Sequence, residues 1–213
     1  MNPRQSSSDV NRTIADTGVI GIVRTTSTAR AVELTQQIWT AGVDVVEVAL
    51  TTPGGLAALE TLSGEVQGQR VLGAGTVLDA ATARSAILAG ARLLVTPTLV
   101  EEVIEVGRRY GVVTVIGCST PTEMLRATTL GADLVKVFPA SLWSPRVLAD
   151  VLAALPQLRC VPTGGVTPED ATGWIGAGAV AVGIGSALTK DDDAPARVRT
   201  LLDAVRRARS PLG

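Results

Sequence analysis

Ala41-Gly42-Val43-Asp44-Val45-Val46-Glu47-Val48-Ala49-Leu50-Thr51 joins the end of one helical pattern to a valine-rich run. A glycine at that junction suits the left-handed stop of a helix, and the apolar run after it reads as a buried parallel strand. The same phrase returns as Ala89-Gly90-Ala91-Arg92, Leu130-Gly131-Ala132-Asp133 and Ala177-Gly178-Ala179. Working outward, apolar runs recur at Val19–Arg24, Val43–Leu50, Arg70–Gly75, Arg92–Thr96, Val112–Gly117, Asp133–Phe138, Cys160–Val161 and Val180–Ile184. Between them lie helical stretches such as Thr28–Ala41, Asp79–Ala89, Leu99–Tyr110, Pro121–Leu130 and Pro145–Leu155, rich in Ala, Leu, Glu and Arg. That alternation implies βαβ units. Eight strands with eight crossovers in 213 residues predict a compact (β/α)8 TIM barrel. An open doubly wound sheet rarely needs eight near-equal repeats. We expect one domain over residues 1–213: a leading helix within 1–17 capped by Ser8 or Asp9, a barrel core over 18–190, and a final helix over 194–209.

Composition removes several function classes. The formal charge is −1, from 19 basic and 20 acidic side chains spread along the chain, so no basic surface serves nucleic acid. The chain has no histidine, which excludes Ser-His and Cys-His nucleophile pairs and histidine-ligated metals. Cys118 and Cys160 have no CxxC spacing and read as two buried thiols of a reduced compartment. The stretch Met1–Asp9 has no apolar signal-type core, and no later run approaches the ~18 apolar residues of a membrane span. The expectation is a soluble cytoplasmic protein with neither membrane nor nucleic-acid partners.

Side-chain alternation then places charges inside the barrel. In the second run Val46, Val48 and Leu50 share the helix-facing side, which turns Val45, Glu47, Ala49 and Thr51 inward. In the sixth, Val135 and Val137 face out while Leu134, Lys136 and Phe138 face the lumen. Arg24 ends the first run, in step with Ile20 and Ile22. A buried ion costs several kcal/mol, roughly, unless paired. One reading is therefore a structural Glu47–Lys136 ion pair. Lysine usage favours another: of 19 basic residues only Lys136 and Lys190 are lysines. Lysine, unlike arginine, can lose its proton when desolvated and become a nucleophile. Lys136 is the best nucleophile on offer, and Glu47 is placed to shuttle protons for Schiff-base chemistry. Lys190, before Asp191-Asp192-Asp193, reads as a solvated loop residue. Asp44 and Asp133 begin their strands at the barrel floor, the face that serves stability.

Glycine loops follow the last two strands, as Pro162-Thr163-Gly164-Gly165-Val166 and Gly183-Ile184-Gly185-Ser186. Glycines there, each before a helix start, suit a phosphate, with Thr163 and Ser186 as hydroxyl donors; plain tight turns remain the alternative. Gly73-Ala74-Gly75-Thr76 puts a hydroxyl at the top of the third strand, either for a substrate carboxylate or to cap the next helix. Thr96-Pro97 ends the fourth. An amine, a carboxylate, a phosphate cradle and an arginine in one mouth suit Schiff-base chemistry on a phosphorylated keto sugar acid.

These phrases, with Val45-Val46-Glu47-Val48, Val95-Thr96-Pro97 and Lys136-Val137-Phe138-Pro139-Ala140, stand in the order of one family over residues 18–190. The chain resembles the class I 2-keto-3-deoxy-6-phosphogluconate and -phosphogalactonate aldolases. By that resemblance Lys136 is the Schiff-base lysine and Glu47 the acid/base residue. Thr76, Pro97 and Phe138 belong to the pyruvate pocket, with Thr163, Gly164, Gly165, Gly185 and Ser186 around the phosphate. It also implies a homotrimer, no cofactor and no metal. The gluconate branch usually carries arginine where this chain has Thr51. The galactonate branch has a small polar residue there and an arginine like Arg24, which is expected to take over the substrate carboxylate. A 4-hydroxy-2-oxoglutarate aldolase and a silent sugar-phosphate binding barrel remain as alternatives.

Overall fold

The computed structural model describes residues 5–189 and 194–209. A leading helix, α1 (Ser7–Thr17), is followed by β1 (Val19–Val23), α2 (Thr28–Thr40), β2 (Val45–Ala49), α3 (Gly55–Ser63), β3 (Val71–Gly75), α4 (Ala80–Leu88) and β4 (Leu93–Val95). Then come α5 (Glu101–Tyr110), β5 (Val113–Cys118), α6 (Pro121–Thr129), β6 (Leu134–Val137), α7 (Pro145–Ala154) and β7 (Cys160–Pro162). The chain finishes with α8 (Ala171–Gly176), β8 (Val182–Ile184), the short α9 (Ser186–Thr189) and α10 (Ala194–Arg209). All strands pair in parallel in the order β7-β6-β5-β4-β3-β2-β1-β8. A parallel bridge between Thr163 and Gly183 joins the two ends, so the sheet is a ring rather than an open, doubly wound sheet. The apolar runs overshoot the strands because burial continues past the last paired residue; Val43 is fully buried yet precedes β2.

The repeated glycine phrase does what its backbone freedom allows: Gly42, Gly90, Gly131 and Gly178 sit at φ between +96° and +109°. Strand alternation sorts two cores. Val46, Val48, Val135 and Val137 pack in the layer beneath the helices. Ile20, Val45, Val71, Leu93, Val113, Leu134 and Val161 fill the lumen, where Val10 and Ile14 of α1 join them and plug the floor. The cap of α1 is Ser6, not Ser8 or Asp9. Its hydroxyl accepts from the Asp9 amide while the Asp9 carboxylate accepts from the Ser6 amide, a reciprocal capping box. Lys190 and the three aspartates after it lie outside the described residues. Asp133 belongs to the floor, as expected: it accepts from the Thr114 amide at 2.9 Å and from Asn11 at 3.1 Å. Among the described residues no helix is long and apolar enough to cross a membrane.

Candidate active site

Glu47 sits mid-strand on β2, flanked by Ile22 on β1 and Gly73 on β3. Its side chain is buried in the lumen, at 3% exposure. A Cβ on Gly75 would come within 2.7 Å of its Oε1, so the glycine ending β3 makes the space this carboxylate occupies. Lys136, at 6% exposure, lies on β6 between Gly117 of β5 and Val161 of β7. In the ring β2 and β6 are four strands apart, which sets the two side chains on opposite walls. Burial pushes the Glu47 pKa upward, and the charges of Lys136 and then Arg24 act against that rise. Their interaction is across space: among the described residues there is no Glu47–Lys136 bridge and no hydrogen bond from the Lys136 amine. Its Nζ lies 4.9 Å from the ring centroid of Phe138, the chain's single phenylalanine. An amine held this way is not locked into a structural ion pair and faces open cavity space.

Arg24, exposed just past β1, donates from Nη2 to Thr76 Oγ1 at 3.4 Å. Thr76 has φ +59°, a left-handed conformation that costs a β-branched residue about 1–3 kcal/mol. Its hydroxyl does not cap the next helix; Asp79 does, accepting from the Thr82 amide. Pro97 acts through its backbone, which lies against Gly117 so closely that any side chain there would collide with it. Thr96 fixes this approach, accepting from the Gly117 amide at 3.0 Å and donating to the Thr98 carbonyl at 2.6 Å.

At the other side of the mouth Gly164 and Gly165 adopt φ of +87° and +89°. The carbonyls of Thr163 and Gly164 accept from the Ala140 and Ser141 amides, which pins this loop to the segment after β6. The Thr163 hydroxyl is buried and donates to the Val161 carbonyl at 3.2 Å, so its proton is directed away from an anion. Ser186, exposed at the start of α9, is the better-placed hydroxyl.

A cavity of about 680 Å³ gathers Arg24, Glu47, Lys136, Phe138, Thr163, Gly164, Gly165, Gly185 and Ser186. Thr76 reaches it only through Arg24. Thr51 is exposed in the turn after β2, where the buried hydroxyl belongs instead to Thr52, which accepts from the Thr25 amide. The lining also includes residues the sequence did not single out, among them Glu169 after β7, and Arg197 and Thr200 on α10. For Arg197 and Thr200 the clue, a three-residue helical spacing, means nothing until the docking of α10 is known. A second cavity, of about 830 Å³, lies at the floor beside α1 and contains none of these groups. Cys118 and Cys160 are free and buried, and burial pushes both thiols up to about 12, so they are inert at neutral pH.

With this geometry in place, the family model for KDPG and KHG aldolase matches residues 10–198. The chain belongs to that aldolase family. It is an aldolase, a carbon–carbon lyase. A relative from Escherichia coli (strain K12), 2-dehydro-3-deoxy-6-phosphogalactonate aldolase, is 33% identical over 171 residues, 80% of this chain and 83% of its own. A native KDPGal structure superposes on the aldolase with a TM-score of 0.84 at 31% identity, over 89% of this chain and 95% of that one. A cube-shaped protein cage designed by fusing symmetric oligomeric domains gives 0.84 at 31% identity, over 90% of this chain and 73% of that one.

Proposed function

We propose that this aldolase cleaves 2-keto-3-deoxy-6-phosphogalactonate or its gluconate epimer to pyruvate and glyceraldehyde 3-phosphate, with Lys136 as the Schiff-base residue. The observation that carries the reading is the buried, unbridged Lys136 amine opposite Glu47 in one cavity. Lys136 Nζ attacks the C2 carbonyl, and loss of water from the carbinolamine gives an iminium. The C4 hydroxyl then loses its proton, the C3–C4 bond breaks, and its electron pair passes into the iminium as an enamine. The aldehyde departs, C3 is protonated, and hydrolysis frees pyruvate and the amine. Glu47, its pKa raised by burial, takes and returns these protons, directly or through water. Arg24, held by Thr76, takes the substrate carboxylate. Phe138 walls the pyruvate end, while Pro97, which is not in the cavity lining, backs it only through Gly117 beside Lys136, and Gly164, Gly165, Gly185 and Ser186 receive the phosphate. The reading includes a cytoplasmic homotrimer; the likeness to a cage designed by fusing symmetric oligomeric domains supports an oligomer.

Incubation with pyruvate and borohydride, followed by peptide mass analysis, tests the lysine. An irreversible adduct on Lys136 is expected; no adduct on the folded protein overturns the reading. The family also covers KHG aldolases. Equal rates with 4-hydroxy-2-oxoglutarate would move the assignment there.

A further inference from the structure

Two guanidinium groups line the cavity, and they are anchored at different places. Arg24 is tied to Thr76, beyond β3. Arg197, near the start of α10, donates from Nη1 to the Ala187 carbonyl at 3.1 Å, next to Gly185 and Ser186. Thr200, three residues further along α10, lines the same cavity, so one face of this outer helix closes over the glycine loops.

Those loops hold no formal positive charge of their own. The Thr163 proton is directed at the Val161 carbonyl, and Glu169 brings a negative charge to the same mouth. Backbone N–H groups and the Ser186 hydroxyl offer dipoles, whereas a phosphate dianion beside a carboxylate needs a cation. A guanidinium, planar and five-donor, matches phosphate oxygens better than an ammonium does. We propose that Arg197 is the cationic partner of the substrate's phosphate, which makes α10 a specificity element for phosphorylated substrates. The proposal rests on the phosphate reading of the glycine loops.

The test runs the aldol reaction in the synthetic direction, comparing glyceraldehyde 3-phosphate with unphosphorylated glyceraldehyde. In Arg197→Gln the KM for the phosphorylated aldehyde is expected to rise roughly 10- to 100-fold, the loss of one charge-assisted contact. Its kcat, the KM for glyceraldehyde and borohydride trapping of pyruvate on Lys136 stay as in the wild type, while inorganic phosphate ceases to compete. Arg197→Lys, which keeps the charge without the fork, falls between. An unchanged KM ratio between the two aldehydes in either variant overturns the proposal. So does equal weakening of both aldehydes, which makes Arg197 only a clamp on α9. A wild type that does not prefer the phosphorylated aldehyde overturns the phosphate reading itself, and the proposal with it.

Discussion

Two polar clusters belong to this ring, one around its floor and one in its lumen toward the mouth, and they are built on opposite terms. At the floor, Asp133 accepts from the amide and hydroxyl of Thr114 and from Asn11, whose own oxygen accepts from Arg159 at 3.1 Å. Each of these groups has a partner, and each bond contributes about 1 kcal/mol net. At the mouth, Glu47 and Lys136 are more deeply buried than Asp133, Asn11 or Arg159, and are hydrogen-bonded to nothing among the described residues. A buried charge without a contact partner costs several kcal/mol, roughly. Such a cost is the mark expected of groups kept for reaction, the role proposed for Glu47 and Lys136, whereas the satisfied floor cluster has the mark of groups kept for stability.

The sharpest way to break this contrast is Lys136→Met. Retro-aldol activity should fall by about 10⁴-fold or more, with the melting temperature held or raised, because a desolvated charge is removed. A variant that loses its fold instead would return Lys136 to the structural role. Next in size is Glu47→Gln, expected to lower kcat by roughly 10²- to 10⁴-fold while leaving pyruvate binding in place.

The same residue sharpens the contrast through pH. Burial raises the Glu47 pKa, so the native state keeps a proton that the unfolded chain has already released. Native protein then binds more protons than unfolded, and stability falls as pH rises from the ordinary glutamate value, about 4.3, through the raised native one. Glu47→Gln should flatten that part of the stability–pH curve, read by denaturant titration. It should also erase the acid limb of kcat/KM, which lies above the ordinary carboxylate range.

At the floor the signs reverse. Asp133→Ala strands the Thr114 amide and Asn11, and should cost about 1–3 kcal/mol of stability with kcat per folded molecule unchanged. A loss of kcat there would dissolve the division between the two clusters. The smallest effect belongs to Ser6→Ala, which removes the cap of the floor helix α1 for about 1 kcal/mol in a chemical melt.

Much of this division was legible beforehand. Alternation along two strands sent Glu47 and Lys136 inward, and both lie in the lumen. The glycine phrases marked the helix ends, and all adopt positive φ. Asp133, at the start of its run, was assigned to the floor. These follow from local rules: a strand turns alternate side chains to opposite faces, and only glycine enters the left-handed region at little cost. The sequence by itself therefore determined the barrel, its two cores and which two charged groups share the lumen.

Other features depended on closure of the ring and the docking of distant segments. That Glu47 and Lys136 face one another without touching follows from strands set four apart in a circle. The Thr163 hydroxyl proton is directed to a carbonyl because Gly183 of the closing strand lies against that side chain. Thr51, expected in the lumen, is exposed because β2 ends at Ala49 and the chain turns. Arg197 reaches the mouth only because α10 packs back over the glycine loops. The Glu47–Lys136 separation, the approach of Gly183 to Thr163 and the reach of Arg197 are distances between residues far apart in the chain, and no local periodicity encodes such a distance; the tertiary structure alone decides it.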